Sequence, residues 1–198
     1  MLVRPAEPRD DRAVAALMYE TAAGRYDLFT GNRDRALQVL VATIPRPGND
    51  TSRDGAIVAE IDGQVAGAVV AFPAVEETAR RRRFLRHALL RRPPWRWPRI
   101  LRNARLGEQI TPDPGPDALY IDALATDDRF RRRGVGTALL DAAAERARAL
   151  GLGKLALDTG AANAPARALY ERYGFRLAGE RPPTGNIPAI VFYERDVA

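Results

Sequence analysis

The feature that most constrains this chain is a strand-helix-strand pattern in its second half. "ALYIDALAT" (118–126) alternates as a strand. "RRRGVGTALLDAAAERARAL" (131–150) passes from three arginines through two glycines into apolar residues at helical spacing, and "KLALDT" (154–159) is strand-like again. Such an order needs a sheet with a helix against it, so a purely helical or purely β fold is excluded.

The flanking segments extend the pattern. "LVRPAE" reads as a short strand, and "PRDDRAVAALMYETAA" as a helix with proline and acids in its first turn. "RDRALQVLVATI" reads as a second helix ending at Pro45. "GAIVAEIDGQVAGAVVAF" contains two β-rich runs joined by Asp62-Gly63, a strong hairpin signal. After "KLALDT" come a helix, "APARALYERY", closed by Gly174, and two strands, "FRLAGE" and "PAIVFYERD". The expected fold class is α/β (α+β): a mixed central sheet of about six to seven strands flanked by helices, in a single domain over 1–198.

Residues 73–117 interrupt this order between the third and fourth strands. "EETARRRRFLRHALLRR" has helical spacing, "PPWRWP" breaks it, and "RILRNARLGE" reads as a second short helix. The segment carries eleven arginines against five acids, a net +6 that equals the formal charge of the whole chain. A basic pair of helices with tryptophans suits a nucleic acid or an anionic surface; the blander alternative is a lid whose apolar side packs on the domain. Nucleic acid is not expected as a partner. The Trp95/Trp97 pair offers a homodimer contact.

There is no cysteine and one histidine, His87, which excludes disulfides and leaves zinc almost without ligands, so no metal is expected. The start has no apolar signal region, and no apolar run is long enough for a membrane span, so a soluble cytoplasmic protein is expected.

The glycine loop admits three readings. A P-loop needs Lys-Ser/Thr after its last glycine, but Gly136 is followed by Thr137-Ala138. A dinucleotide fingerprint would use Asp158 for a ribose, yet its third small position holds Leu139 and a charged stretch separates strand from glycine. The third reading is a helix N-terminus facing a pyrophosphate, with bare amides, glycines for close approach and arginines for charge-assisted bonds. Arginine at a helix start opposes the helix dipole unless an anion offsets it.

Arg131-x-x-Gly134-x-Gly136 together with "NAPARALYERYGF" (163–175) resembles the two signature segments of the GNAT family of N-acetyltransferases, closely over 118–180 and in element order before residue 73. The resemblance implies a GNAT fold and acetyl-CoA as acyl donor, with coenzyme A bound and a small-molecule or peptide amine as acceptor. It implies main-chain contacts to pantetheine from Leu124, Ala125 and Thr126. Pyrophosphate binding would fall to Arg131, Arg132, Arg133, Gly134, Val135, Gly136 and Thr137, with a pantetheine contact from Asn163. Tyr170 would protonate or hydrogen-bond the CoA sulfur.

Alternation puts Tyr120, Asp122, Leu124 and Thr126 on one face, making Asp122 either an amine anchor or base, or a satisfied structural acid. Glu60, Tyr26 and Asp27 are weaker candidates on the acceptor side. If the insert lines the acceptor pocket, its charge favours a carboxylate-bearing acceptor over a polycationic one. The competing functional class is a non-catalytic module that senses CoA or binds nucleic acid.

Overall fold

The computed structural model describes residues 1–22, 26–27, 30–90, 93–98, 100–102, 114–184 and 188–197. Its core is a seven-stranded mixed sheet. The strands are β1 (Leu2–Pro5), β2 (Ala56–Ile61), β3 (Gln64–Pro73), β4 (Ala118–Thr126), β5 (Lys154–Gly160), β6 (Arg176–Arg181) and β7 (Ile190–Asp196). The helices are α1 (Asp11–Thr21), α2 (Arg33–Thr43), α3 (Glu77–Leu89), α4 (Val135–Ala149) and α5 (Ala164–Tyr173). The spatial order is β1-β2-β3-β4-β5-β7-β6, with β4 and β5 parallel and every other pair antiparallel.

Local chemistry accounts for the boundaries. Asp62 (φ 51°) and Gly63 (φ 75°) both take the left-handed conformation that a two-residue hairpin turn requires. Asn32 accepts a hydrogen bond from the Arg35 amide (3.1 Å) and starts α2. Asn163 does the same for α5 through the Ala166 amide (3.3 Å), and Gly174 (φ 96°) ends that helix.

Two cores sandwich the sheet. Leu139, Leu140, Ala143 and Ala147 of α4 pack with Tyr170 and Phe175 against Val69, Ala71, Leu119 and Ile121. On the opposite face Val14, Leu17 and Met18 of α1 and Leu40 of α2 cover Val58, Ala68, Val70 and Ala123.

The expected alternation along β4 does not hold. Val70 pairs with Ala123 and Ala71 with Ile121, which makes Asp122 an extra residue, a β-bulge. Before it, Leu119 and Ile121 face α4 while Tyr120 lies against Phe72 on the other side (centroids 5.9 Å). After it, Leu124 joins the α4 core and Ala123 the α1 core. Tyr120 and Leu124 therefore sit on opposite faces.

The insert begins as expected with a helix, α3, which lies on the α1–α2 side through Phe84. Three of the five arginines of α3 are engaged within the fold. Arg80, 7% exposed, donates to Glu76 (2.7 Å), to Asp54 (3.1 Å) and to the Asn49 carbonyl (3.1 Å), with its guanidinium over the Phe72 ring. Arg81 pairs with Glu77 (2.5 Å), and Arg83 donates to the Gly48 carbonyl (3.2 Å). Trp97 donates to the Leu89 carbonyl, whereas Trp95 is exposed. The second short helix expected in 99–108 lies mostly outside the described residues. Among the described residues no helix is long and apolar enough to cross a membrane.

Candidate active site

The site follows from how β4 and β5 part. Their parallel pairing runs from Ala118↔Lys154 to Ile121↔Leu157 and then stops, although β4 continues to Thr126 and β5 to Gly160. Residues 123–126 keep their partners on β3, while 122–126 leave the other edge of the strand unpaired toward β5. A cleft of about 1660 Å³ opens there. Small-ligand pockets run to roughly 300–1,000 Å³, so this one accommodates two molecules end to end.

One end is the start of α4. Gly134 (φ 79°) is its N-cap, no side chain caps the first amides, and the first turn holds no acid. These bare amides, together with Arg131, Arg132, Gly134, Val135, Gly136 and Thr137 in the lining, suit an anion. Arg131 pairs with Asp128 (2.5 Å). Arg133 stands over the Phe130 ring (5.6 Å to its centroid) and is not part of the lining. A Cβ on Gly136 would come 3.0 Å from Leu169 of α5, so glycine allows α4 and α5 to approach closely.

The floor carries Leu124, Ala125 and Thr126 of β4, with Asp122 beside them and Asp158 across the opening on β5. Tyr170, 6% exposed, lines the same cleft between Phe175 and Tyr193, at 5.8 and 5.9 Å from their rings. Burial, and then the charge of Asp158, hold its phenol well above the ordinary tyrosine range. Among the described residues its hydroxyl has no hydrogen-bond partner. Tyr120 is fully buried beneath the floor and donates to Asp158 Oδ1. Burial, and then the charges of Asp158 and Asp122, raise it strongly as well.

The other end is formed by α1, α2 and the insert, with Leu17, Phe84, Leu85 and Ala88 as an apolar wall. Arg81 and Arg82 reach this lining from α3, but Glu20, Asp50, Asp122 and Asp158 share it, so the cleft does not inherit the insert's net charge.

Of the candidates read from sequence, all the GNAT-implied residues except Arg133 line one cleft. Asn163 is also occupied locally, as the α5 cap and as a donor to Thr159. Tyr26 lines the end formed by α1, α2 and the insert, stacked on Tyr19. Glu60 is held by Arg4 (2.6 Å) away from the cleft, Asp27 accepts from Tyr19, and His87 lies by Arg46. Sequence reasoning weighed Asp158 only as a ribose partner and missed its place in the opening; a lone carboxylate on an apolar strand was the available signal.

Residues 29–175 match the family model of the acetyltransferase (GNAT) family. The chain belongs to the GNAT family. No curated protein matches it in sequence. Among solved structures it is similar to an acetyltransferase at 25% identity, with all of both chains covered and a TM-score of 0.73. It is also similar to an N-acetyltransferase from Staphylococcus aureus Mu50, at 21% identity over 98% of this chain and 100% of that one, with a TM-score of 0.77. A ribosomal-protein-alanine N-acetyltransferase from Brucella melitensis shares the fold at 21% identity, with 99% of each chain covered and a TM-score of 0.57. The protein is thus an acyltransferase of the GNAT fold, a family whose cosubstrate is acetyl-CoA.

Proposed function

We propose that this GNAT protein transfers an acetyl group from acetyl-CoA to a primary amine of a small molecule by direct attack of the amine. The observation that carries the reading is the coincidence, in one opening, of an uncapped helix start and a buried tyrosine whose hydroxyl has no partner among the described residues. The donor fits the residues present: anion-binding amides from Gly134 to Thr137 at one end, and the unpaired edge of residues 122–126 along the floor. When bound, acetyl-CoA supplies the activated acyl group.

Each residue then has a definite task. The Thr137 hydroxyl and the first α4 amides hold the pyrophosphate, and Leu124, Ala125 and Thr126 orient the pantetheine arm through main-chain bonds. A floor amide near Leu124 donating to the acyl oxygen is worth about 3 kcal/mol in such chemistry. Tyr170 stays neutral across the physiological range and gives its proton to the departing sulfur. The acceptor lies against Leu17, Phe84 and Leu85, with its nitrogen at the carboxylates of the floor, among which Asp122 is the one suggested by sequence.

The test is thiol release from acetyl-CoA against acidic, neutral and polycationic amines, with Tyr170→Phe alongside. Turnover with one acceptor class, lowered roughly 10²-fold or more in the variant, supports the reading. Binding of acetyl-CoA with no turnover across a broad panel favours a CoA sensor instead.

A further inference from the structure

We propose that Asp158, held by Tyr120, is the carboxylate that receives the acceptor amine and takes its proton, with Asp122 only a neighbour; this rests on the acetyl-transfer reading above. Asp158 is the first residue of β5 beyond its last pairing with β4, so its side chain enters the opening where the strands part. Its Oδ1 is engaged by the hydroxyl of Tyr120, a residue 1% exposed and fixed against Phe72, which Arg80 covers in turn. Among the described residues Oδ2 has no partner, which leaves it for a ligand in the cleft.

Asp122 is placed differently. It is the extra residue of the β4 bulge, and its charge acts on Tyr120. Asp158 accepts from Tyr120 and lines the same cleft as Tyr170, and its charge acts on both phenols. The titratable groups beside it are Tyr120 and, in the same lining, Asp122 on β4 and Tyr170 on α5, with the charge of Glu77 of α3 also acting on Tyr120. Neither phenol competes as the base, because both are held neutral.

The proton balance closes with these groups. The acceptor arrives as an ammonium, and Asp158 Oδ2 takes its first proton, later released to solvent. The nitrogen lone pair forms the N–C bond as the C–S bond breaks, Tyr170 gives its proton to the sulfur, and the second amine proton restores Tyr170. Tyr120 is a positioning residue: it touches neither substrate and fixes the carboxylate so that Oδ2 faces the nitrogen.

The experiment measures kcat and KM for the accepted amine with Asp158→Asn, Asp158→Glu, Asp122→Asn and Tyr120→Phe, with acetyl-CoA binding by calorimetry as the check on folding. Asp158→Asn keeps an oxygen for Tyr120, and it is expected to lower kcat about 10²-fold or more at neutral pH with donor binding intact. Its deficit shrinks as pH rises toward the amine's own ionisation, because the substrate then arrives already neutral, a recovery that a purely structural carboxylate would not produce. Asp158→Glu retains more activity than Asp158→Asn, and Tyr120→Phe lowers kcat more than it changes donor KM.

A larger loss in Asp122→Asn than in Asp158→Asn, or a deficit in Asp158→Asn that does not change with pH, overturns the inference. If the wild type releases no thiol with any amine, the acetyl-transfer reading fails and takes this one with it. Wild-type turnover that survives Asp158→Asn removes this inference alone.

Discussion

Gly67 on β3 has no side chain, and the reason lies on its α4 face. A Cβ built there would sit 2.7 Å from Val135 Cγ1, 2.8 Å from the Ala125 carbonyl oxygen and 3.1 Å from Leu139 Cδ1. Carbon–carbon contacts settle at about 3.5–4.0 Å, so the first contact is roughly 0.8 Å too short. The valine can rotate, but the carbonyl belongs to β4, which is paired with β3 at Ala68↔Ala125, and cannot yield without disturbing the ladder. Gly67→Ala therefore pushes β3 away from α4 and strains its pairing with β4, and both α4 and β4 flank the proposed donor groove. Overpacking of this kind costs about 1–3 kcal/mol, which in a chain of this length lowers Tm by about 2–12 °C. Thermal unfolding measures that loss, and donor saturation kinetics should show a raised KM for acetyl-CoA. Gly160→Ala is the control: its Cβ would meet nothing within 4 Å, and Tm should stay within about 1 °C. A Gly67→Ala protein with unaltered Tm and donor KM would refute the claim that the glycine exists for close approach.

Other outcomes follow from particular bonds. Asn163→Ala removes the α5 cap and should cost about 1 kcal/mol, while Asn163→Ser, which retains a capping oxygen, should restore most of it in chemical denaturation. At the first strand, burial pushes the Asp10 carboxyl up, but hydrogen bonds from Arg4 (2.7 Å) and the Glu7 amide (2.7 Å) outweigh it and leave the group below its ordinary value. A depressed carboxyl contributes stability above its unfolded value of about 4, and that contribution is lost as pH falls through the folded value. Tm should therefore drop below about pH 4, and Asp10→Asn, which removes one of the two carboxylates that hold Arg4 while Glu60 remains, should cost about 1.5–3 kcal/mol at neutral pH and show a flatter acid limb. An unaltered acid limb in that variant would contradict the assignment.

Much of this architecture was legible in the sequence because local chemistry dictates it. Asp62-Gly63 can hardly be other than a turn, and Gly134 and Gly174 sit at the two helix ends where a left-handed residue is needed. What escaped was non-local. Insertion of β7 between β5 and β6 rests on pairing across the sheet, such as Asp158↔Phe192, which no short window records. Arg80 reads as one of four consecutive surface charges, and only the fold brings Asp54 and Phe72 to it. Asp122 and Asp158 look alike in sequence, as single acids on apolar strands. The bulge and the Tyr120 hydroxyl are what separate them.

The added residue at Asp122 gives β4 two reading frames within nine residues. Upstream, odd-numbered side chains feed the α4 core; downstream, even-numbered ones do. Deleting Asp122 would barely alter composition, yet it would restore one uninterrupted alternation, leave Leu124 facing α4 and abolish the half-turn between the two frames beside the opening. Homologues aligned without regard to that half-turn would match the letters of this strand while pairing side chains that look in opposite directions.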